Sequence, residues 1–174
     1  RVGIFGSGKQ ARTQLIAMCK VRKITKVDVF SPNEEHRNAF AKEITEVCGV
    51  EVTPLANPDD VAKDKDILVT ATSARDPFFK AEWLKEGMHV NAIGSNFMGK
   101  AELTPEAVQK FSRIVVDSRD QSRIEAGDFQ NGSSAGCDSI SFNELLDTMF
   151  YSWNFGDCTF DIDTIYNPAD NPLA

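Results

Sequence analysis

Gly6-Ser7-Gly8-Lys9-Gln10-Ala11 carries the strongest chemical signal in this 174-residue chain. The spacing is G-x-G-x-x-A, and it falls between a short apolar run and the start of a helical pattern, which is where such a loop can grip a pyrophosphate. Gly6 permits a tight turn, Gly8 lets backbone approach the phosphates without a side chain between, and Ala11 allows close helix-strand packing. The helix that follows offers free N–H groups and the positive end of its dipole to the anion. A second group of candidates stands about 20 residues on. There, an Asp or Glu ending the next strand would bind the ribose 2′-hydroxyl of NAD. The position holds Ser31, with Asn33 and Arg37 close behind, so nothing acidic at the strand end repels a 2′-phosphate. Glu34 and Glu35 lie near enough to oppose this. The balance favours NADP slightly over NAD.

The elements that must position these residues alternate. Val2 to Phe5 is an apolar run suited to a strand buried on both faces. From Ala11 to about Val21 the period changes, and Leu15, Met18, Cys19 and Val21 trace a helical stripe. Val27 to Phe30 is the next strand. Ser31-Pro32-Asn33 turns into a helix from Glu34 with Phe40, Ile44 and Val47 inward and Gly49 as terminator. Val50 to Thr53 predicts a strand, Pro58 the first position of a short helix, and Asp66 to Thr72 a strand around Ile67-Leu68-Val69. His89 to Ile93, Pro105 to Lys110 and Ile114 to Val116 continue as strand, helix and strand, and Asp120 can cap a last helix through Ala126 closed by Gly127. Such βαβα order implies an α/β fold, a Rossmann-type doubly wound parallel sheet. After Asp128 the pattern weakens, and a boundary falls there: residues 1–129 as the dinucleotide-binding domain and 130–174 as an irregular, acidic, aromatic-rich extension, with one possible helix from Phe142 to Phe150.

Several further segments resemble one family. These are Gly6-Ser7-Gly8-Lys9-Gln10-Ala11-Arg12, Val69-Thr70-Ala71-Thr72, Trp83 through Gly94, Gly99-Lys100-Ala101-Glu102-Leu103 and Val115-Val116-Asp117-Ser118-Arg119. In order and spacing, from about Val2 to Phe129, they are similar to the cofactor domain of the ornithine cyclodeaminase/mu-crystallin family. The resemblance implies a Rossmann domain that binds NADP or NAD, paired in the full-length protein with an N-terminal substrate and dimerisation domain, the whole a homodimer. It places Lys9 and Gln10 on the pyrophosphate, Ser31 at the adenosine ribose, Thr72 beside the cofactor, Val90, Asn91, Ala92 and Ile93 along the nicotinamide, and Lys100 nearby. The cyclodeaminase branch has a catalytic Asp where this chain has Asn96. An amide cannot shuttle a proton as a carboxylate does, which disfavours deamination with ring closure. Asn96 is left as the candidate catalytic position, orienting substrate or water. The implied activity is hydride transfer to or from an amino acid or cyclic imino acid, of ketimine reductase or amino-acid dehydrogenase type. An ornithine cyclodeaminase lyase and a non-enzymatic NADP-binding protein of the mu-crystallin kind are the alternatives.

Composition bounds the rest. The net charge of -7 divides unevenly: residues 1–123 hold all 19 bases against 17 acids, whereas residues 124–174 hold 9 acids and no base. The glycine-loop unit is therefore slightly positive, and the whole gives no support to nucleic-acid binding through bulk charge. No run approaches the roughly 18 to 20 apolar residues of a membrane helix, and the start lacks a signal-peptide pattern. A cytoplasmic protein is expected. Cys19, Cys48, Cys137 and Cys158 are far apart and, with only His36 and His89 as partners, predict reduced thiols rather than a metal site. His89 is expected to be a packed histidine, and Arg75 with Asp76 a surface ion pair. The chain opens at Arg1 directly before an apolar run and so looks like a segment of a longer protein, one expected to be inactive alone.

Overall fold

The computed structural model describes residues 1–97, 99–116, 122, 124–130, 139–141, 153–155 and 158–160. Strands β1 (Val2–Phe5), β2 (Val27–Phe30), β3 (Val52–Leu55), β4 (Ile67–Thr70) and β5 (His89–Ala92) form one parallel sheet in the order β3-β2-β1-β4-β5. Order reverses beside β1, so the β1/β4 crevice is the topological switch point of a Rossmann fold. The register is unbroken from edge to edge at the carboxyl ends: Phe5 sits between Phe30 and Thr70, and Thr70 faces Ala92.

Strand alternation divides the core. Val2, Ile4, Val27, Val29 and Val69 point to one face and meet Ala11, Leu15 and Met18 of α1 (Lys9–Val21) and Phe40, Ala41 and Ile44 of α2 (Glu34–Cys48). Phe5 and Leu68 point to the other face, toward α3 (Pro58–Ala62), a 3-10 turn at Ala81–Trp83 and α4 (Pro105–Lys110). Phe5 stacks on Trp83 with ring centroids 5.0 Å apart, and Phe79 meets both rings edge-on. This aromatic cluster anchors the last residue before the glycine loop. Gly3 belongs to the same packing, because a Cβ there would meet the Val61 carbonyl and Leu68.

Local signals explain most boundaries. Asn33, Asn57 and Thr104 each accept a backbone N–H of the helix they precede, Pro58 and Pro105 open their helices, and Gly49 ends α2 with φ of 65°. Five expectations shift. Val21 and Val47 lie 59% and 58% exposed, since each falls at the solvent edge of its helical stripe. The third strand runs two residues later, because Val50 only packs beneath it. The described residues of the expected 120–126 helix, 122, 124 and 125, are helical, with the Ala126 N–H donating to the Ser122 carbonyl at 3.0 Å, but Gly127 after them also opens a further helix, α5 (Gly127–Gln130), and a Cβ there would collide with the Lys100 carbonyl. Strand β6 (Ile114–Val116) pairs in parallel with β7 (Ser139–Ser141) outside the five-stranded sheet. Arg75 and Asp76 are exposed and form no ion pair among the described residues; the Arg75 carbonyl instead accepts the Ala101 N–H at 3.2 Å. The expected helix at 142–150 lies outside the described residues. Strands β8 (Trp153–Phe155) and β9 (Cys158–Phe160) form an antiparallel pair. Among the described residues no helix is long and apolar enough to cross a membrane, and no group of three or more His, Cys, Asp or Glu could hold a metal.

Candidate functional site at the carboxyl ends of the strands

Gly6 leaves β1 with φ of 109°, and a Cβ on it would strike the Ala71 carbonyl at the end of β4. Both constraints require glycine, and together they seat the loop in the β1/β4 crevice. Gly8 differs. Its backbone is extended, it is exposed, and a Cβ would meet nothing within 4 Å. The fold does not need glycine at that position, but a ligand lying against the backbone would. Gly8 is the N-cap of α1 and supplies no side chain to cap it, and the first turn contains no acid. Free N–H groups and an unopposed dipole thus face the open space, with Lys9 and Gln10 exposed beside them. A pyrophosphate fits this cradle.

Arg12 holds the loop in shape. Its Nη1 donates to the Ser7 carbonyl at 2.7 Å while Nε donates to both carboxylate oxygens of Glu43 on α2, at 3.0 and 2.8 Å. The guanidinium also lies over the Phe40 ring. Helix α2 is in this way tied to the peptide that precedes Gly8.

At the end of β2, Ser31 is buried. Asn33 spends its Oδ1 on the His36 N–H as the cap of α2, a role its position in the turn had also allowed. Arg37 folds back on the loop: Nη1 donates to the Ser31 carbonyl at 3.2 Å and reaches the Pro32 carbonyl at 3.5 Å, and Nη2 stands 3.6 Å from Glu34. Arg37 therefore staples the β2–α2 turn.

Across the crevice a buried carboxylate organises the ends of β4 and β5. Glu102 is fully buried; its Oε1 accepts the Thr72 backbone N–H at 2.6 Å and the Thr72 hydroxyl at 2.5 Å, and its Oε2 accepts the Gly94 N–H at 2.7 Å. Gly94 must be glycine because a Cβ would occupy the space of that carboxylate. Asp128 at the start of α5 in turn accepts the N–H groups of Glu102 and Leu103, at 2.6 and 2.9 Å. Burial, with the Glu102 charge adding to it, pushes the Asp128 carboxyl above the ordinary range, against the lowering effect of those two N–H groups. Lys100 bridges the same loops, its Nζ donating to the Thr72 carbonyl at 3.0 Å.

Of the β5 residues, Ala92, Ile93 and Gly94 reach the carboxyl end, while Val90 packs against the aromatic face of the core. Asn91 is turned toward α1: it contacts His89 Nε2 at 2.7 Å and donates to Gln14 at 3.2 Å. His89 is packed as expected, and burial holds its imidazole below the usual value. Asn96 and Phe97 are exposed on the loop after Gly94. The structure thus gathers Gly6, Gly8, Lys9, Gln10 and Ala11 on one side of the switch point, Thr72, Ala92, Ile93 and Lys100 on the other, and Ser31, Asn33 and Arg37 at the neighbouring strand end. Arg12, Glu102 and Asp128 are the residues that motif reading left without roles. An isolated acid between the apolar Ala101 and Leu103 was the available sign of Glu102.

Comparison with known proteins agrees with this geometry. Residues 1–149 match the ornithine cyclodeaminase/mu-crystallin family, so the family pattern continues 20 residues past the boundary drawn at 129. A Delta(1)-pyrroline-2-carboxylate reductase of Bacillus cereus is 38% identical over 127 residues, covering 73% of this chain and 39% of the relative. An alanine dehydrogenase of Archaeoglobus fulgidus is 38% identical over 121 residues, 70% of this chain and 36% of its own. The solved Delta(1)-pyrroline-2-carboxylate reductase of Thermococcus litoralis, in complex with NADH and L-proline, superposes with a TM-score of 0.72 at 38% identity, covering 75% of this chain and 40% of that one. The chain spans about two fifths of the length of the curated relatives it matches. It belongs to the ornithine cyclodeaminase/mu-crystallin family.

Proposed function

We propose that this chain is the dinucleotide-binding unit of an NAD(P)-dependent oxidoreductase that acts on an amino acid or a cyclic imino acid, of ketimine reductase or amino-acid dehydrogenase type. One observation carries the reading: the open space above Gly8 at an uncapped helix N-terminus in the switch-point crevice. The relatives named as pyrroline-2-carboxylate reductase and alanine dehydrogenase support the chemistry. When bound, the nicotinamide supplies the hydride. This chain's residues bind and orient it: the glycine loop with Lys9 and Gln10 takes the pyrophosphate, Ser31 the adenosine ribose, and Thr72, Ala92, Ile93 and Lys100 form the platform beside the ring. Asn96 orients substrate or water. Its amide lacks the carboxylate's proton-shuttling capacity, which disfavours the ornithine cyclodeaminase reaction. The unit is drawn over residues 1–129, with 130–174 as an extension of it, in a cytoplasmic homodimer. A non-catalytic dinucleotide-binding protein is the second reading, favoured by the same cradle.

Fluorescence titration with NADH and NADPH tests the proposal. Both should quench protein emission or gain emission of their own, and Gly8→Val should weaken binding at least tenfold, about 1.4 kcal/mol, with the melting temperature unchanged. No binding of either cofactor at millimolar concentration refutes the reading. Reduction of a cyclic imino acid by the full-length protein separates enzyme from binder. The finer assignment is a preference for NADP, with Arg37 as the cation at the 2′-phosphate. Arg37→Ala should then weaken NADPH roughly tenfold more than NADH, and equal losses would leave Arg37 as a loop staple only.

A further inference from the structure

The Ser7–Gly8 peptide stands at the mouth of the cradle, and its orientation decides where the Gly8 N–H points. The peptide is trans, so its carbonyl and its N–H are antiparallel. Arg12 Nη1 holds the Ser7 carbonyl at 2.7 Å, which turns the Gly8 N–H to the side opposite Arg12. Among the described residues no acceptor meets that N–H, whereas the Gly8 carbonyl is already engaged by the Arg12 N–H at 3.2 Å. The guanidinium itself is fixed from two further directions. Its Nε donates to both oxygens of Glu43, and its central carbon lies 5.5 Å from the ring centre of the fully buried Phe40. Phe40 and Glu43 are three residues apart on α2 and share one face of it. We propose that Arg12 and Glu43 are positioning residues for the pyrophosphate: Glu43 holds the Arg12 fork, the fork holds the Ser7 carbonyl, and the peptide held in this way aims the Gly8 N–H at a phosphate oxygen. The proposal rests on the dinucleotide reading and adds to it a determinant of affinity on α2, outside the cradle itself.

Charge separates this role from direct binding. An unpaired arginine beside a phosphate site would act as its counter-ion. Here the Glu43 carboxylate neutralises the guanidinium, and the nitrogen nearest the loop is engaged by a carbonyl. The two roles give opposite signs for the loss of Glu43: freeing a counter-ion would tighten phosphate binding, and loosening a positioning contact weakens it. They also differ in what lysine can replace. An ammonium on a flexible stem keeps the charge but not the planar fork that spans the Ser7 carbonyl and the Glu43 carboxylate.

The test titrates NADH into the full chain and into Arg12→Met, Arg12→Lys, Glu43→Ala and the double variant Arg12→Met/Glu43→Ala, each at a temperature where circular dichroism shows it folded. Arg12→Met and Arg12→Lys should each weaken NADH roughly tenfold, the worth of one charge-assisted N–H bond. Glu43→Ala should weaken it by about threefold or more, and the double variant no further than Arg12→Met alone, because the two residues act as one unit. In amide proton–nitrogen spectra the Gly8 resonance should shift at saturating NADH in the wild type and not in Arg12→Met. A purely structural role would lower the melting temperature and leave both the affinity of the folded variants and the Gly8 shift intact. Should Arg12→Met fail to fold, Arg12→Lys and Glu43→Ala still decide. Tighter binding by Glu43→Ala, full affinity in Arg12→Lys, or additive losses in the double variant would each overturn the proposal. A wild-type chain that binds no NADH at millimolar concentration overturns the dinucleotide reading with it, whereas wild-type binding matched by Arg12→Met overturns this proposal alone.

Discussion

Glu102→Gln separates the charge of the buried carboxylate from its shape. In the native chain Oε1 serves two Thr72 donors and Oε2 serves the Gly94 N–H, all within 2.7 Å. The glutamine oxygen can take over the Thr72 side. Its amide nitrogen then faces the Gly94 N–H, donor against donor, in a site with no solvent access to resolve the conflict. One charge-assisted bond is lost, and one buried N–H is left unsatisfied. At about 1.5 to 3 kcal/mol for a hydrogen bond to a charged group, and with partial relief from removing a buried charge, a net cost of about 2 kcal/mol follows. For a protein of this size that corresponds to a fall in melting temperature of roughly 4 to 8 °C. Glu102→Ala should cost more, because two backbone N–H groups are stranded and a cavity opens. Thermal unfolding by circular dichroism gives the totals, and amide hydrogen exchange at Gly94 and Thr72 localises them. On the proposed cofactor placement NADH affinity should fall in step, since the Thr72 and Gly94 loops are held by these three bonds. A Glu102→Gln protein that melts within a degree of the wild type, with Gly94 exchange unchanged, would refute the argument.

Three other substitutions read different parts of the site. Gly6→Ala should lower the melting temperature markedly, by roughly 2 kcal/mol or more, because φ of 109° and the Ala71 carbonyl both oppose a Cβ, whereas Gly8→Val should spare it; equal thermal effects of the two would undo the distinction between a turn glycine and a ligand glycine. Asp128→Asn keeps an oxygen for the Glu102 and Leu103 N–H groups and removes a charge that burial disfavours, so at pH 7 the variant should be as stable as the wild type or more so. The sign follows from the raised native pKa: the folded protein holds this proton more tightly than the unfolded chain, so its contribution to stability is full below about 3.8 and falls as pH rises through the native value. The pH–stability curve of Asp128→Asn should lack that falling component in denaturant titrations, and a curve parallel to the wild type would contradict it.

The legible part of this protein was whatever local physics repeats. Short apolar runs and period-3.6 stripes placed five strands and their helices, and the glycine loop was legible because its spacing falls between the first such run and the first such stripe. Cap positions were legible for the same reason: Asn33, Asn57 and Thr104 bond to N–H groups two or three residues away. What stayed hidden depends on contacts distant in sequence. Glu102 reaches back 30 residues to Thr72, Asp128 reaches back 26 to Glu102, and Arg12 forward 31 to Glu43. Nothing in the pattern around Gly94 or Gly127 distinguishes a terminator from a position that must admit a neighbour's carboxylate or carbonyl. Val21 and Val47 err in the opposite direction, since an apolar stripe cannot say where its edge meets water.

These two kinds of residue occupy the two sides of the switch point. The glycine-loop side is a turn and a helix end, with Ala71 of the β4 end and Glu43 of α2, through Arg12, bracing them. The Thr72–Gly94 side is three loop ends held together by buried acids from later in the chain, so it requires the fold to close before it exists. On that second side the exposed Asn96 and Phe97 follow Gly94. A scaffold of charge-assisted bonds beneath Gly94 fixes the backbone there while leaving the two side chains beyond it free to vary. Substitutions at Asn96 and Phe97 should therefore leave the cradle at Gly8 undisturbed, since it sits on the other strand end and draws on none of the same bonds.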